Sequence, residues 1–350
     1  MAYASITKPS LYFDGKIYLG SASAVTVTGL GFQPDLVWVK DRDNGNNHCW
    51  VDAVRGVGKY IESDNTGAEV DNSTNSISAF TSDGFTTGTA NPANEQASTT
   101  LGFMSWNWKA NGAGSANTDG TIDTTSTSVD TTSGFSISKY TGDGSSGATI
   151  GHGLGVKPKV IIVKRLGTTG NWFCQHGSLG ATKNMVLNST NAVATFTACW
   201  NDTEPTSSVF TVGNDNDVNA SAGTYVAYCF SPVKGYSSFG TYKGSGGADG
   251  PFIYTGFKPA FVIVKKTNGV DNWFVLDNKR NTSNPEDKYL LPDTTGTSAT
   301  YTFFDYISTG FKIRSTGGGH NGNGDSYIYM AFAQNPLVAN VGQSIPATAR

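Results

Sequence analysis

The sequence predicts an all-β fold: three tandem antiparallel β-sandwich modules of jelly-roll-like character. The first observation is a segment that recurs three times. Gly31-Phe32-Gln33-Pro34, Gly155-Val156-Lys157-Pro158 and Gly256-Phe257-Lys258-Pro259 each lead into an apolar run that stops at a lysine, over 36–40, 160–164 and 261–265. The second is that the register holds beyond that segment. Pro34, Pro158 and Pro259 stand 124 and 101 residues apart, and Asn47, Asn171 and Asn272 repeat both steps. Phe85, Phe210 and Phe311 follow at 125 and 101. The third is composition: Gly, Ser, Thr and Asn are abundant while Met and Leu are scarce, a mix that suits short strands joined by tight turns. A unit of about a hundred residues repeated in one chain points to three small domains.

The modules divide as 1–110, 134–235 and 236–336, with an extension at 337–350 that has no counterpart in the earlier copies. Residues 111–133, rich in Gly, Ser, Thr and Asp, read as a flexible linker and account for the longer first step. Ser231-Pro232-Val233-Lys234-Gly235 leaves little freedom, so a loosely tethered first module before a tighter pair is expected.

Within the second copy, 135–140 alternates as a strand and Thr141-Gly142-Asp143-Gly144 turns the chain. Residues 148–150 form a short strand. The run 160–164 is apolar on both faces, as a buried central strand is, and Pro158 suits a strand's start. Strands at 172–174, 185–187, 194–196, 209–212 and 225–230 complete about eight. Trp38, Trp50, Trp106 and Trp108 replace aliphatics or other aromatics of the sister copies, which marks them as core fillers. A sugar-stacking platform would need them exposed.

Net charge is −3 and charged residues make up 15%, so no basic excess indicates a nucleic-acid partner. No apolar stretch reaches the roughly 20 residues of a membrane span, and the N-terminus does not read as a signal peptide. Cys49, Cys174, Cys199 and Cys229 lack paired spacing and read as buried thiols.

Catalytic candidates are few, and no enzyme activity is expected. His48 stands where the other copies have Trp172 and Trp273; His152, His176 and His320 lie in no catalytic motif. The recurring acid position is Asp52, His176, Asp277, with Arg55 and Arg280 three residues after the two acids, a pattern that orders a turn by a charged hydrogen bond. Lys40, Lys164 and Lys265 are expected to keep the sheet edge soluble or to pair with Asp52 and Asp277. The oxygen-rich runs 41–46 and 214–217 do not complete a calcium loop, so neither a metal nor a cofactor is expected.

Gly134-Phe135-Ser136-Ile137-Ser138-Lys139-Tyr140-Thr141-Gly142, leading into Ile150-Gly151-His152-Gly153-Leu154-Gly155-Val156-Lys157-Pro158, resembles a family of tailed-phage virion proteins. Asp83-Gly84-Phe85-Thr86, Trp106-Asn107-Trp108-Lys109-Ala110-Asn111-Gly112 and Tyr327-Ile328-Tyr329-Met330-Ala331-Phe332 extend that likeness over nearly the whole chain. Members occur in phages of marine and freshwater bacteria, as tail fibres or virion structural proteins. The resemblance implies a virion protein assembled in a bacterial cytoplasm, with other virion proteins and a host-surface glycan or protein as partners. By analogy it also implies a homotrimer. The loops 41–47, 213–221 and 317–325 are the expected contact surfaces, with Asp41, Asp43, Asn47, Asp215, Asp217, Asn219, His320, Asn321 and Asp325 as candidate ligand-binding residues. A capsid-decorating protein is the alternative expectation. A glycan depolymerase fits less well, since the repeat of a parallel β-helix is absent.

Overall fold

The computed structural model describes residues 4–95 and 100–336; the extension at 337–350 lies outside them. The fold is all-β and built from antiparallel sheets. Each sequence repeat contributes one main sheet, with strands in the same spatial order. In the first repeat the order is Phe13–Tyr18, Phe103–Trp108, Leu36–Asp41, Cys49–Asp52, Lys59–Glu62 and Val70–Asp71. The second runs Phe135–Thr141, Thr224–Phe230, Val160–Arg165, Trp172–His176, Lys183–Val186, and the third Ser237–Lys243, Ser326–Pro336, Phe257–Lys266, Trp273–Asp277, Glu286–Leu290. All eight strands expected in the second repeat are present, with Ala148–Gly151 and Val209–Val212 paired as a separate outer layer.

Strand alternation explains why the proline-led run is apolar throughout. In Leu36–Asp41, Leu36 and Trp38 enter one core while Val37 and Val39 enter another on the opposite face. Each repeat covers its outer face with its own small strands, giving three satellite cores. The inner faces of all three sheets meet in a single core that takes Trp38, Trp50, Trp106 and Trp108 from the first repeat, Tyr228 and Phe230 from the second, and Phe261 and Phe332 from the third. Ring contacts link every pair of repeats: Trp50 with Trp172 at 5.2 Å, Trp106 with Phe261 at 5.8 Å, and Phe230 with Phe332 at 5.9 Å. The four tryptophans are therefore core fillers, at most 3% exposed.

The arrangement is a closed ring, not modules strung in series. A lysine and a ring N–H from each repeat reach into the next. Lys164 Nζ donates to Thr66 O (3.1 Å) and Trp172 Nε1 to Glu62 O (2.8 Å), tying the second repeat to the first. Lys265 Nζ donates to Thr190 O (3.1 Å) and Trp273 Nε1 to Val186 O (3.0 Å), tying the third to the second. Lys40 Nζ donates to Thr295 O (3.0 Å) and His48 to Leu291 O (3.0 Å), tying the first back to the third. The lysines thus depart from the expectation that they solubilise an edge or pair with Asp52 and Asp277. All three are fully buried and spend their protons on main-chain carbonyls, which satisfies ammonium groups cut off from water. Burial pulls each ammonium down to about 8.

The loosely tethered first module is likewise corrected. Thr124–Asp130, inside the expected linker, is a strand paired along Phe135–Thr141. Its composition concealed it because hydroxyls, not alkyl groups, fill the contact: Thr127 Oγ1 lies 2.9 Å from Thr124 Oγ1 and 3.0 Å from Ser138 Oγ.

Candidate functional site

Three loop pairs, one per repeat, form the candidate contact surface. In each, the loop after the lysine strand meets the loop before the closing strand. Asn46 Nδ2 lies 2.7 Å from Asp41, 2.9 Å from Glu95 and 3.1 Å from Asn91 in the first repeat. Asn171 donates through its main-chain N–H (2.8 Å) and its side-chain amide (3.0 Å) to Asp217 in the second. Asp325 accepts from Lys266 at 2.7 Å and Asn268 at 3.0 Å in the third.

Four of the nine sequence candidates are buried rather than exposed: Asp41, Asn219, His320 and Asn321. Asp41 organises its own turn, accepting from the N–H groups of Asp43 and Asn44 and from the amide of Asn44. Asn219 accepts from Asp143 N and donates to Ser145 O and Gly213 O. Asn321 does the same with Ser245 N, Gly247 O and Ser315 O. The first repeat holds a third copy that sequence reading missed: Asn94 accepts from Ser21 N and donates to Ser23 O and Gly88 O. Its signal was present, since Asn94, Asn219 and Asn321 stand 125 and 102 residues apart. The opening tyrosines lock the preceding carbonyl each time, Tyr18 to Ala93 O, Tyr140 to Val218 O and Tyr242 to His320 O. These asparagines are clamps of the loops.

The other candidates are partly exposed. Asp43 accepts from the N–H groups of Leu101 and Gly102 at 2.9 Å each. Asp215 caps the short helix Asn216–Asn219 through Asp217 N. Asn47 opens onto a polar recess of ≈ 250 Å³ beside Tyr60, Glu62 and Asn75.

The acids and histidines are occupied at the seams of the ring. Asp52 accepts from the N–H groups of Val54 and Arg55, and pairs with Arg55 Nε at 2.5 Å, so the acid orders a turn as the spacing suggested. It also accepts from Tyr228 of the second repeat at 2.7 Å. Asp277 repeats the turn with Arg280 and accepts from Trp106 of the first repeat at 3.1 Å. His176 takes the acid's place: Nδ1 accepts from Ser178 N, and Nε2 faces Tyr329 O of the third repeat at 3.4 Å. His48 does at its seam what the indoles of Trp172 and Trp273 do at theirs, while its Nδ1 accepts from Trp38 Nε1 at 2.9 Å. These two rings are neutral with the proton on Nε2, since Nδ1 accepts. Burial lowers His48 well below the ordinary imidazole value and His176 to about 4. All four cysteines are buried and unpaired, and burial pushes their thiols up. No group of three metal-ligating side chains occurs among the described residues.

His320 carries a pH prediction. It stands against Phe303 at 4.0 Å and against Ser315 Oγ at 2.6 Å, and burial lowers it to about 3. The unfolded chain protonates near 6.5 and the folded one does not, so stability contributed here is lost as pH falls from 6.5 toward 3. His320→Gln should remove about 2–3 kcal/mol of the loss between pH 7 and 4.5. Urea midpoints of both proteins at the two pH values measure it; parallel losses would contradict the assignment.

A family model described as a domain of unknown function, DUF7483, matches residues 8–336, and the chain belongs to that family. No curated protein and no solved structure matches it. Among the described residues, no helix is long and apolar enough to cross a membrane.

Proposed function

We propose that this member of the DUF7483 family is a non-enzymatic virion structural protein. Its role is that of a tail fibre or similar appendage, assembled in the bacterial cytoplasm, that adheres to a glycan or protein on the host surface. The observation that carries the reading is the display of three related loop pairs by one ring-closed body. Repeated weak contacts gain avidity when a scaffold holds them at fixed spacing, because each later contact forms at high effective concentration. The scaffold is suited to this. Its inner faces share one core, and its loops are clamped by Asn94, Asn219 and Asn321. The acids and histidines best placed for chemistry are engaged in turns and seams, which supports a structural use for them. The resemblance to tailed-phage virion proteins supplies the setting. Fibres that join three chains obtain threefold repetition by oligomerisation, whereas this chain carries three repeats within itself. Further copies are then not required to present three loop pairs.

Adhesion tests the reading. Fluorescently labelled protein should sediment with at least one isolate in a panel of marine and freshwater bacteria and be displaced by excess unlabelled protein. Failure to adhere to any isolate would count against it.

A further inference from the structure

We propose that the recess in the first repeat's loop pair is a subsite for one neutral or N-acetylated sugar ring, an inference that rests on the surface-adhesion reading. The recess offers ≈ 250 Å³ to a water-sized sphere and is open to solvent. That is just below the range of about 300–1,000 Å³ usual for ligand pockets, which suits a single ring rather than an oligosaccharide.

Its chemistry is that of hydroxyl recognition. Asn46, Asn47, Asn75 and Asn91 line it with amides, beside Tyr60 and Glu62. A side-chain amide both donates and accepts, as a sugar hydroxyl does, so neighbouring amides can grip neighbouring hydroxyls. Asn46 is fixed by Asp41 at 2.7 Å, and Glu62 accepts from Asn65 at 2.6 Å, so these walls are pre-set. Asn47 and Asn75, both partly exposed, have side-chain amides with no hydrogen-bond partner among the described residues. Their bonding capacity is open to a ligand.

Comparison of the repeats sharpens the point. Asn171, which corresponds to Asn47, spends its amide on Asp217 at 3.0 Å and accepts from Asn188 at 3.2 Å. The same position is consumed internally in one repeat and left facing a recess in another. No cationic side chain lines the recess and one carboxylate does, so acidic sugars are disfavoured.

Ligand-detected NMR on the full chain tests the proposal, with N-acetylglucosamine, galactose and rhamnose as probes and sialic acid as the acidic comparison. At least one neutral probe should bind saturably with a Kd of about 1 mM. Asn47→Ala and Asn75→Ala should each weaken it about tenfold, the effect of one lost hydrogen bond. Asn323→Ala, in the third repeat's loop 317–325, should leave it unchanged, with thermal midpoints confirming that all variants fold. No saturable binding by any neutral probe, or binding indifferent to both recess variants, would overturn the subsite. Adhesion of the unmutated protein to bacteria separates the two ideas. Adhesion that persists without sugar binding sinks the subsite alone, and absent adhesion sinks the surface-binding reading itself.

Discussion

Asp52→Ala should destabilise the protein by about 3–5 kcal/mol, the range for removing one partner of a buried ion pair. Both side chains of the Asp52–Arg55 pair are fully buried, and the guanidinium also donates to Trp50 O at 2.8 Å. Deleting the acid leaves a buried cation whose remaining carboxylate, Glu69 at 3.2 Å, is 17% exposed. It also takes away the acceptor of the Tyr228 hydroxyl proton of the second repeat, so the damage reaches a seam and not just a turn. A comparison gives the expectation its edge. Lys157 and Glu204 lie 2.7 Å apart, only slightly farther than Asp52 and Arg55 at 2.5 Å, yet their side chains are 50% and 44% exposed. Lys157→Ala should therefore cost only about 0–1 kcal/mol. Urea unfolding of the two variants decides, and equal losses would show that the Asp52 site is not desolvated.

Trp106→Ala should cost about 3–5 kcal/mol through lost packing. Trp106 is fully buried, meets Phe261 edge-on at 5.8 Å and donates to Asp277 at 3.1 Å. Arg280 lies 5.7 Å from its ring centre. Trp106→Phe keeps most of the packing and removes only the hydrogen bond to a carboxylate, for which about 1.5–3 kcal/mol is expected. The informative readout is location. Asp277 and Phe261 belong to the third repeat, so Trp106→Ala should raise amide exchange in 257–266 and 273–277 as well as in 103–108. Loss of protection confined to the first repeat would contradict a shared core.

The strands were legible because their signals are local. A proline fixes where the run 36–40 begins, and alternation within it separates Val37 and Val39 from Leu36 and Trp38. The core role of Trp38, Trp50, Trp106 and Trp108 was legible for a related reason, since apolar residues occupy the same places in the other copies. Ring closure was not. Repetition shows that three units exist and is silent on whether they stand in line or face one another. The clue lay in polar atoms at positions that periodicity marks as interior. A lysine ending each buried run, and an indole or imidazole at 48, 172 and 273, need acceptors that their own repeat does not supply in full. The strand Thr124–Asp130 escaped because hydroxyl pairing between Thr124, Thr127 and Ser138 has the composition of a linker. Loops are where the three copies are most free to vary, but a side chain in a loop can be a clamp. Asn219 and Asn321 turn inward, while Asn47 faces an open recess.

Scanning calorimetry of the whole chain tests the central claim most directly. Three repeats that share one core and three seams must unfold together, so one transition is expected, with van't Hoff and calorimetric enthalpies in a ratio near one. Resolved transitions, or a ratio near about one third, the value for three independent domains of similar size, would show that the repeats unfold separately and that the ring does not hold them as one body.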